Sequence, residues 1–365
     1  MTHSWVEIDL GRLKANVRAL RRSIPDEVSI VFVVKANAYG HGIQPVGRAA
    51  SEAGINWFAV AYLEEALLLR EVLPDANILV IGVLEPGDVK TAHENRILPI
   101  IANREHGALL AAAAGTLGIT LSAHLKVDTG MGRLGVQWDE VESAATELKA
   151  YPDLRLSGVC SHFAAVNPES PDGALEQVRK FNHALKFLPA GMFRHISSSR
   201  AALYFPEWDF DGVRQGIVLY GYGADNPAGR FHTLPILQWK TRVVQIKRVP
   251  AGYSVGYVGT HITEYPTRIA TLAVGYADGY NRALSNRGDV LIRGRRCAVV
   301  GRVSMNWLTV DLGPDLNAEV GDEAVLIGEQ AGDAIWASEL SRICRTIPYE
   351  ILTSINASIE RRYHK

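Results

Sequence analysis

Cysteine is scarce in this chain: three among 365 residues, at Cys160, Cys297 and Cys344. Their odd number, irregular spacing and apolar neighbours in sequence argue against a disulfide framework and against a zinc cluster, so no metal is expected. Charge of one sign is also lacking. The 38 Lys and Arg against 39 Asp and Glu leave a net charge of −1, so nothing electrostatic favours nucleic acid or an anionic membrane surface as partner. No apolar run approaches the roughly 20 residues of a membrane span. The segment Met1–Trp5 shows no basic stretch leading into an apolar core, so no secretory leader is read there. There is no low-complexity linker, no solenoid repeat, and no Gly-x-Gly-x-x-Gly opening an early helix, which weakens a dinucleotide-binding reading. What is present is a 47% hydrophobic content, ample for a large core. With this length it points to a soluble, cytoplasmic protein of two domains.

Two regimes of pattern follow one another. From about residue 28 to 235, short apolar runs alternate with helical stretches. Strands are expected near 28–34, 57–60, 77–82, 97–101, 119–126, 156–160, 192–196 and 212–214, with helical patterns clearest in Leu63–Leu73 and Leu175–Leu188. Eight β/α repeats over this length fit a (β/α)8 TIM-type barrel, with a doubly wound open sheet as the alternative from periodicity alone. Beyond about residue 236, runs such as Arg242–Val249, Arg268–Val274, Val290–Ile292, Ala298–Val300, Leu308–Val310 and Ala324–Ile327 succeed one another between Gly, Pro and Asp. They read as a mostly-β C-terminal domain with a short helix near Ser338–Cys344. The expected division is a barrel over 11–235 and a β domain over 236–365.

The segment Val33-Val34-Lys35-Ala36-Asn37-Ala38-Tyr39-Gly40-His41-Gly42 puts one lysine between an apolar β-branched run and a flexible loop. Apolar neighbours disfavour an ammonium and lower its pKa, and a neutral lysine can form a Schiff base with an aldehyde. On strand-end position alone, a lysine reaching solvent is the simpler reading. In a barrel, however, active sites sit at the C-terminal ends of the strands. Lys35, Lys126, His162, Ser198, Ser199 and Arg214 all fall at or just after such ends.

Lys35–Gly42 resembles the cofactor-lysine motif of the alanine racemases, enzymes dependent on pyridoxal 5'-phosphate (PLP). The resemblance extends, in order, through Leu125-Lys126-Val127-Asp128-Thr129-Gly130-Met131-Gly132-Arg133-Leu134-Gly135, Ser161-His162-Phe163-Ala164, Arg214-Gln215-Gly216-Ile217, Gly275-Tyr276-Ala277-Asp278-Gly279 and Gly301-Arg302-Val303-Ser304-Met305. It implies that Lys35 holds the cofactor and serves as base for the D-isomer, and that Tyr257 is the base for the L-isomer, supplied by the other subunit of a homodimer. A free tyrosine titrates near ~10, so Tyr257 needs cationic help, which the resemblance assigns to His162 and Arg214. Without the resemblance, Tyr257 reads as an aromatic in a glycine-rich hairpin. Arg214 would face the pyridine nitrogen; being always protonated, a guanidinium keeps that nitrogen unprotonated and the ring a weaker electron sink. By the same resemblance Tyr39, Ser199, Gly216, Ile217 and Tyr349 hold the phosphate. Arg133 contacts the cofactor and the substrate carboxylate, Lys126 is carbamylated and orients Arg133, the Met305 amide binds the substrate carboxylate, and Tyr276 and Arg302 line the entrance. The first ten residues would join the β domain as a strand.

Several positions depart from the pattern: Ser198, Arg200, Asn306, and Asn167 where an acid is usual. They leave substrate choice more open than reaction class, so a racemase of serine or lysine stands beside one of alanine, where the role would be D-alanine supply for peptidoglycan or D-alanine breakdown. Two other readings are a barrel-type PLP decarboxylase, opposed by Arg214 and Ser304, and a non-catalytic PLP carrier, opposed by the large β domain.

Overall fold

The computed structural model describes residues 3–223 and 231–365. Residues 1 and 2 of the expected first strand, and 224–230 of the expected 11–235 domain, lie outside the described residues. The chain divides into two compact units: Leu13–Ala38 with Ile43–Thr233, and Met1–Arg12 with Tyr39–Gly42 and Leu234–Lys365.

In the first unit, eight parallel strands form a nearly closed barrel. After β1 (Ser4–Asp9), which belongs to the other unit, they are β2 (Ser29–Val33), β3 (Trp57–Val60), β4 (Asn77–Val83), β5 (Ile97–Ile101), β6 (Leu121–Asp128), then, past the two-residue β7 (Val136–Gln137) beside β6, β8 (Leu154–Cys160), β9 (Phe193–His195) and β10 (Gly212–Gln215). Neighbours run in the order β10-β2-β3-β4-β5-β6-β8-β9. The seam between β9 and β10 is stitched by Asp211 N–H to Arg194 C=O and Arg214 N–H to Ser197 C=O, both 3.0 Å. Residues Ile30–Val33 and Phe58–Val60 are buried on both faces, the pattern of strands sandwiched between barrel interior and helices. Phe32, Phe58 and Tyr220 pack with ring centroids 6.4 and 5.2 Å apart, contacts worth about 0.5–1.5 kcal/mol each beyond their burial.

The helices follow their capping chemistry. Asn103 accepts the N–H of His106 at 2.7 Å and starts Arg104–Leu117, which ends on the left-handed Gly118. The helical pattern expected to reach Leu73 stops at Arg70, where the guanidinium takes the carbonyls of Leu73, Pro74 and Ala76 and folds the chain back. The pattern seen over 175–188 spans Asp172–Leu185.

In the second unit, β11 (Leu237–Val249) is the spine. It pairs antiparallel with β1, and β1 in turn pairs parallel with the last strand, β20 (Glu360–His364). Between β11 and β20 in sequence come the short hairpin β12 (Ser254–Val255) and β13 (His261–Ile262), β14 (Thr267–Leu272), β15 (Asp289–Ile292), β16 (Arg295–Ala298), β17 (Leu308–Asp311), β18 (Glu323–Gln330) and β19 (Asp333–Ile335). Trp239 anchors this core: its indole N–H donates to Ser4 Oγ at 2.8 Å and its ring lies 6.1 Å from that of Tyr280. Lys240, between Glu7 at 2.9 Å and Glu323 at 3.2 Å, ties β1, β11 and β18 together.

Two strands start three or more residues before the expectation. The run expected as Ala298–Val300 is β16 at Arg295–Ala298, because Gly294 turns the chain just before it, and Val299 keeps only a bridge to Val310. The spine begins at Leu237, five residues before the expected Arg242, since Gln238 and Lys240 point polar groups outward along a strand whose other face is buried.

Candidate active site

Lys35 follows β2 and opens a turn in which Ala36, Asn37, Ala38 and Tyr39 all have φ of 52–53°. Left-handed conformation costs an L-residue about 1–2 kcal/mol, so four in a row store about 4–8 kcal/mol that local contacts must offset. Glu65 supplies much of the offset. One carboxylate oxygen accepts the N–H of Ala36 at 2.5 Å, and the other accepts the N–H of Ala61 at 2.9 Å. Asn37 Oδ1 accepts the N–H of Ile43 at 2.9 Å. Among the described residues Lys35 Nζ has no hydrogen-bond or ion-pair partner. Burial, then the charge of Arg133, lower its pKa, with Glu65 opposing.

Beyond β6, Asp128 gathers the N–H groups of Gly130, Met131 and Gly132 at 2.9–3.1 Å and shapes the loop that carries Arg133. Gly135 closes that loop against β6; a Cβ there would lie 2.6 Å from the Asp128 nitrogen. Lys126, on β6, is pushed down to about 8, chiefly by burial and further by Arg214 and Arg133. Among the described residues its ammonium donates only to the Val127 carbonyl, at 3.1 Å. Cys160 sits beside these cations rather than in the wholly apolar surroundings its sequence neighbours suggest, and burial pushes its thiol up.

Arg214 is the most constrained group. Its two terminal nitrogens donate to His195 Nδ1 (2.7 Å) and to the carbonyls of His195 (3.0 Å), Ser161 (2.7 Å) and Ile196 (2.9 Å), and meet His162 Nδ1 at 3.1 Å. Its Nε–H alone has no acceptor among the described residues, and no carboxylate pairs with it there. His162 is pushed down to about 3 by burial and by the cations Arg214, Lys126, Arg133 and Lys35. It is therefore neutral, accepting at Nδ1 and carrying its proton on Nε2. Ser199 opens the helix Ser199–Tyr204, and its Oγ accepts the Gly216 N–H at 3.2 Å. The Ile217 N–H finds no acceptor among the described residues. Unclaimed donors at Arg214 and Ile217 and an amine at Lys35 that has a lowered pKa and no partner among the described residues together fit a ligand with a basic ring nitrogen, an anionic group and an electrophilic carbon.

The other expected residues belong to the second unit. Tyr39 and Tyr349 pack with centroids 5.5 Å apart; burial and Tyr349 raise the Tyr39 phenol, which stays a neutral donor. The Gly275 and Met305 motifs meet: Tyr276 N–H donates to Ser304 C=O at 3.0 Å and Ala277 N–H to Met305 C=O at 2.9 Å. A Cβ on Gly275 would stand 2.3 Å from both of those carbonyl oxygens. Met305 N–H has no acceptor among the described residues. Tyr257 follows β12 and is 69% exposed.

The match to known families decides between the readings. Residues 8–224 match the model for the alanine racemase N-terminal domain, and residues 236–363 that for the alanine racemase C-terminal domain. The chain belongs to the alanine racemase family. It is 42% identical to the alanine racemase of Symbiobacterium thermophilum, over 100% of this chain and 97% of that one. To the alanine racemase of Syntrophobacter fumaroxidans it is 40% identical, over 100% and 98%. The Bacillus anthracis alanine racemase crystallised with bound L-Ala-P superposes with a TM-score of 0.93 at 34% identity, covering 100% of this chain and 96% of that one. The Bartonella henselae alanine racemase with covalently bound pyridoxal phosphate gives 0.89 at 30%, covering all of both.

Sequence reasoning missed three residues of this alanine racemase family member: Glu65, His195 and His124. Glu65 carries a visible signal, an acid at the third position of helix Leu63–Arg70, where a carboxylate reaches back to free N–H groups. The two histidines are polar interruptions of apolar strands, which periodicity alone does not explain.

Proposed function

We propose that this protein interconverts L- and D-alanine with PLP as cofactor, removing the α-proton on one face and returning a proton on the other. Beyond family membership, the observation that carries the reading is Arg214, with one unclaimed N–H, neutral acceptors on the rest, and no carboxylate partner among the described residues. A guanidinium at the ring nitrogen keeps it unprotonated, which favours racemisation over decarboxylation and opposes the decarboxylase reading. When bound, the cofactor supplies an electron-withdrawing ring that acidifies the substrate Cα–H.

In this reading Lys35 holds the cofactor and its lowered pKa suits it to act as a neutral base. Tyr39, Ser199, the N–H groups of Gly216 and Ile217, and Tyr349 hold the phosphate. Arg133 and the free Met305 N–H bind the substrate carboxylate, and Tyr276 lines the entrance. His162, with its proton fixed on Nε2 by Arg214, donates toward Tyr257 and stabilises a phenolate, so that Tyr257 can take the α-proton of L-alanine. Lys126 is neutral in a large fraction at mildly alkaline pH, the form that adds carbon dioxide. Its carbamate would place an anion among Arg133, Arg214 and Lys35, where carboxylates are scarce.

The protein acts as a homodimer with Tyr257 entering the partner's site. Support comes from the exposed apolar hairpin at Tyr257 (69%), Val258 (83%) and Ile262 (59%), a surface suited to burial against another chain. The proposed domain boundary at 235/236, with the first ten residues joining the C-terminal domain, falls two residues past the Thr233/Leu234 limit of the compact units. No helix of the described residues is long and apolar enough to cross a membrane. That, with the even charge balance, supports a cytoplasmic enzyme that supplies D-alanine for peptidoglycan or opens D-alanine to breakdown. The relatives, named alanine racemases, favour alanine over serine or lysine.

The test is incubation of the PLP-loaded protein with L-alanine in heavy water. Formation of D-alanine carrying deuterium at Cα is expected. Deuterated L-alanine without the D-isomer would leave only the L-face base working and remove the proton return by Lys35 on the other face from the scheme. Faster turnover of L-serine or L-lysine would replace the substrate.

A further inference from the structure

Arg214 does not end its contacts at His195. His195 Nε2 lies 3.0 Å from His124 Nδ1, so four side chains form one connected line: His162, Arg214, His195, His124. Both added histidines are buried, at 0% and 1% exposure. His124 borders a cavity of about 480 Å³ lined by Trp57, Asn77, Ile97, Leu121 and other residues at the starts of the strands. The line therefore runs from the C-terminal mouth of the barrel through to its opposite end.

Donor and acceptor logic fixes the polarity of this line. A guanidinium can only donate. His195 Nδ1 must then accept, its proton must sit on Nε2, and His124 must accept at Nδ1 and carry its own proton on Nε2. A cationic imidazole at either position would point an N–H at a donor. Burial and the Arg214 charge oppose protonation of both rings; His124 is pushed down to about 4, and His195 well below its ordinary value. Lys126, on the same side, adds to this at His195. The surroundings hold the rings in place. Trp57 and Phe193 stack at 4.5 Å and 7°, each about 6 Å from His124. Gly158 leaves room for the ring, since a Cβ there would lie 2.5 Å from His124 Nε2.

We infer that His195 and His124 are positioning residues for Arg214: a neutral imidazole pair of fixed tautomer that aims the guanidinium and leaves Nε–H as its one donor without an acceptor among the described residues. The functional meaning rests on the reading that Arg214 faces the cofactor ring; the tautomers do not depend on it.

The experiment is NMR of the holoenzyme labelled with 15N-histidine, from about pH 6 to about pH 8.5, with resonances assigned through variants. Both imidazoles should be uncharged and protonated on Nε2 throughout. His195→Asn keeps an acceptor for Arg214 but drops the link to His124; kcat should stay within about threefold, with the His124 tautomer released. His195→Leu leaves a buried donor unmet and should lower kcat about ten- to a hundredfold with KM within about threefold, and shift the absorbance of the bound cofactor. A proton on Nδ1, a cationic ring at either position, or equal behaviour of the Asn and Leu variants overturns the inference while leaving the function reading intact. An Arg214→Lys enzyme with unchanged cofactor absorbance would instead remove Arg214 from the ring nitrogen, and the inference with it.

Discussion

Arg214 and Tyr257, one from each compact unit, differ most in exposure. Arg214 is 7% exposed, and its terminal nitrogens are held by backbone carbonyls and imidazoles at and just past the ends of β8 and β9. Tyr257 is 69% exposed on a short hairpin, between the left-handed Gly256 and a Val258 that also has positive φ. The barrel builds its chemistry before any ligand arrives, by burial that strips water from Lys35, Lys126 and His162. The β unit presents Tyr257, Val258 and Ile262 at a surface. One half of the proposed mechanism is thus preorganised within a chain, and the proposal assigns the other half to a second chain.

The sharpest way to break this comparison is to remove each half in turn. Lys35→Ala should lower kcat/KM by about four orders of magnitude or more and abolish cofactor retention on gel filtration. Retained cofactor and activity would move the covalent role elsewhere. Tyr257→Phe should cost about 10²–10⁴-fold while sparing cofactor binding. It should also be asymmetric: deuterium uptake into L-alanine is lost, while uptake into D-alanine, served by Lys35, persists. Symmetric loss would mean that the phenol positions rather than reacts.

The buried histidines set the acid limit of the barrel. His162 and His124 titrate near 3 and 4, and His195 well below its ordinary value, against about 6.5 when unfolded. The unfolded chain then binds more protons below about pH 6.5, so stability rises with pH. The contribution is complete above the unfolded value and is lost as pH falls from about 6.5 toward 4. Three such groups give a slope of up to about 4 kcal/mol per pH unit, beyond what carboxylates add. Urea unfolding at several pH values should show it, and His124→Gln should flatten it by one proton. An unchanged slope would mean that His124 is already charged in the folded protein. The smallest effect concerns the left-handed turn: Glu65→Gln should cost about 1–3 kcal/mol of stability and slow cofactor capture, because one of two backbone-binding oxygens is lost. Calorimetry and stopped-flow absorbance report the two.

The barrel was legible because its period is. Each apolar run near 57–60, 77–82 and 97–101 appears as a strand with a helix after it. The lysine of β2 stood out because a charged residue ended an apolar run. The left-handed turn beyond it was not legible, since Ala36 and Ala38 carry no left-handed preference, a single Asn37 does not specify a run of four, and Glu65, which holds the turn open, is distant in sequence. His124 and His195 hid for a related reason: they satisfy each other across two strands, and a one-dimensional pattern shows only an unexplained polar residue in each. The β domain was legible as a class but not in register, because β16 and β11 take their limits from Gly294 and from pairing with β1.

The central claim, a preorganised barrel half completed by a second chain, is tested most directly by complementation. Lys35→Ala and Tyr257→Phe chains, each nearly inactive alone, are produced together with different tags and the mixed dimer is isolated. If each site takes Lys35 from one chain and Tyr257 from the other, one of the two sites in the mixed dimer is whole, and about half of the native racemase activity returns. A mixed dimer as inactive as its parents would place both groups in one chain's own site and contradict the account.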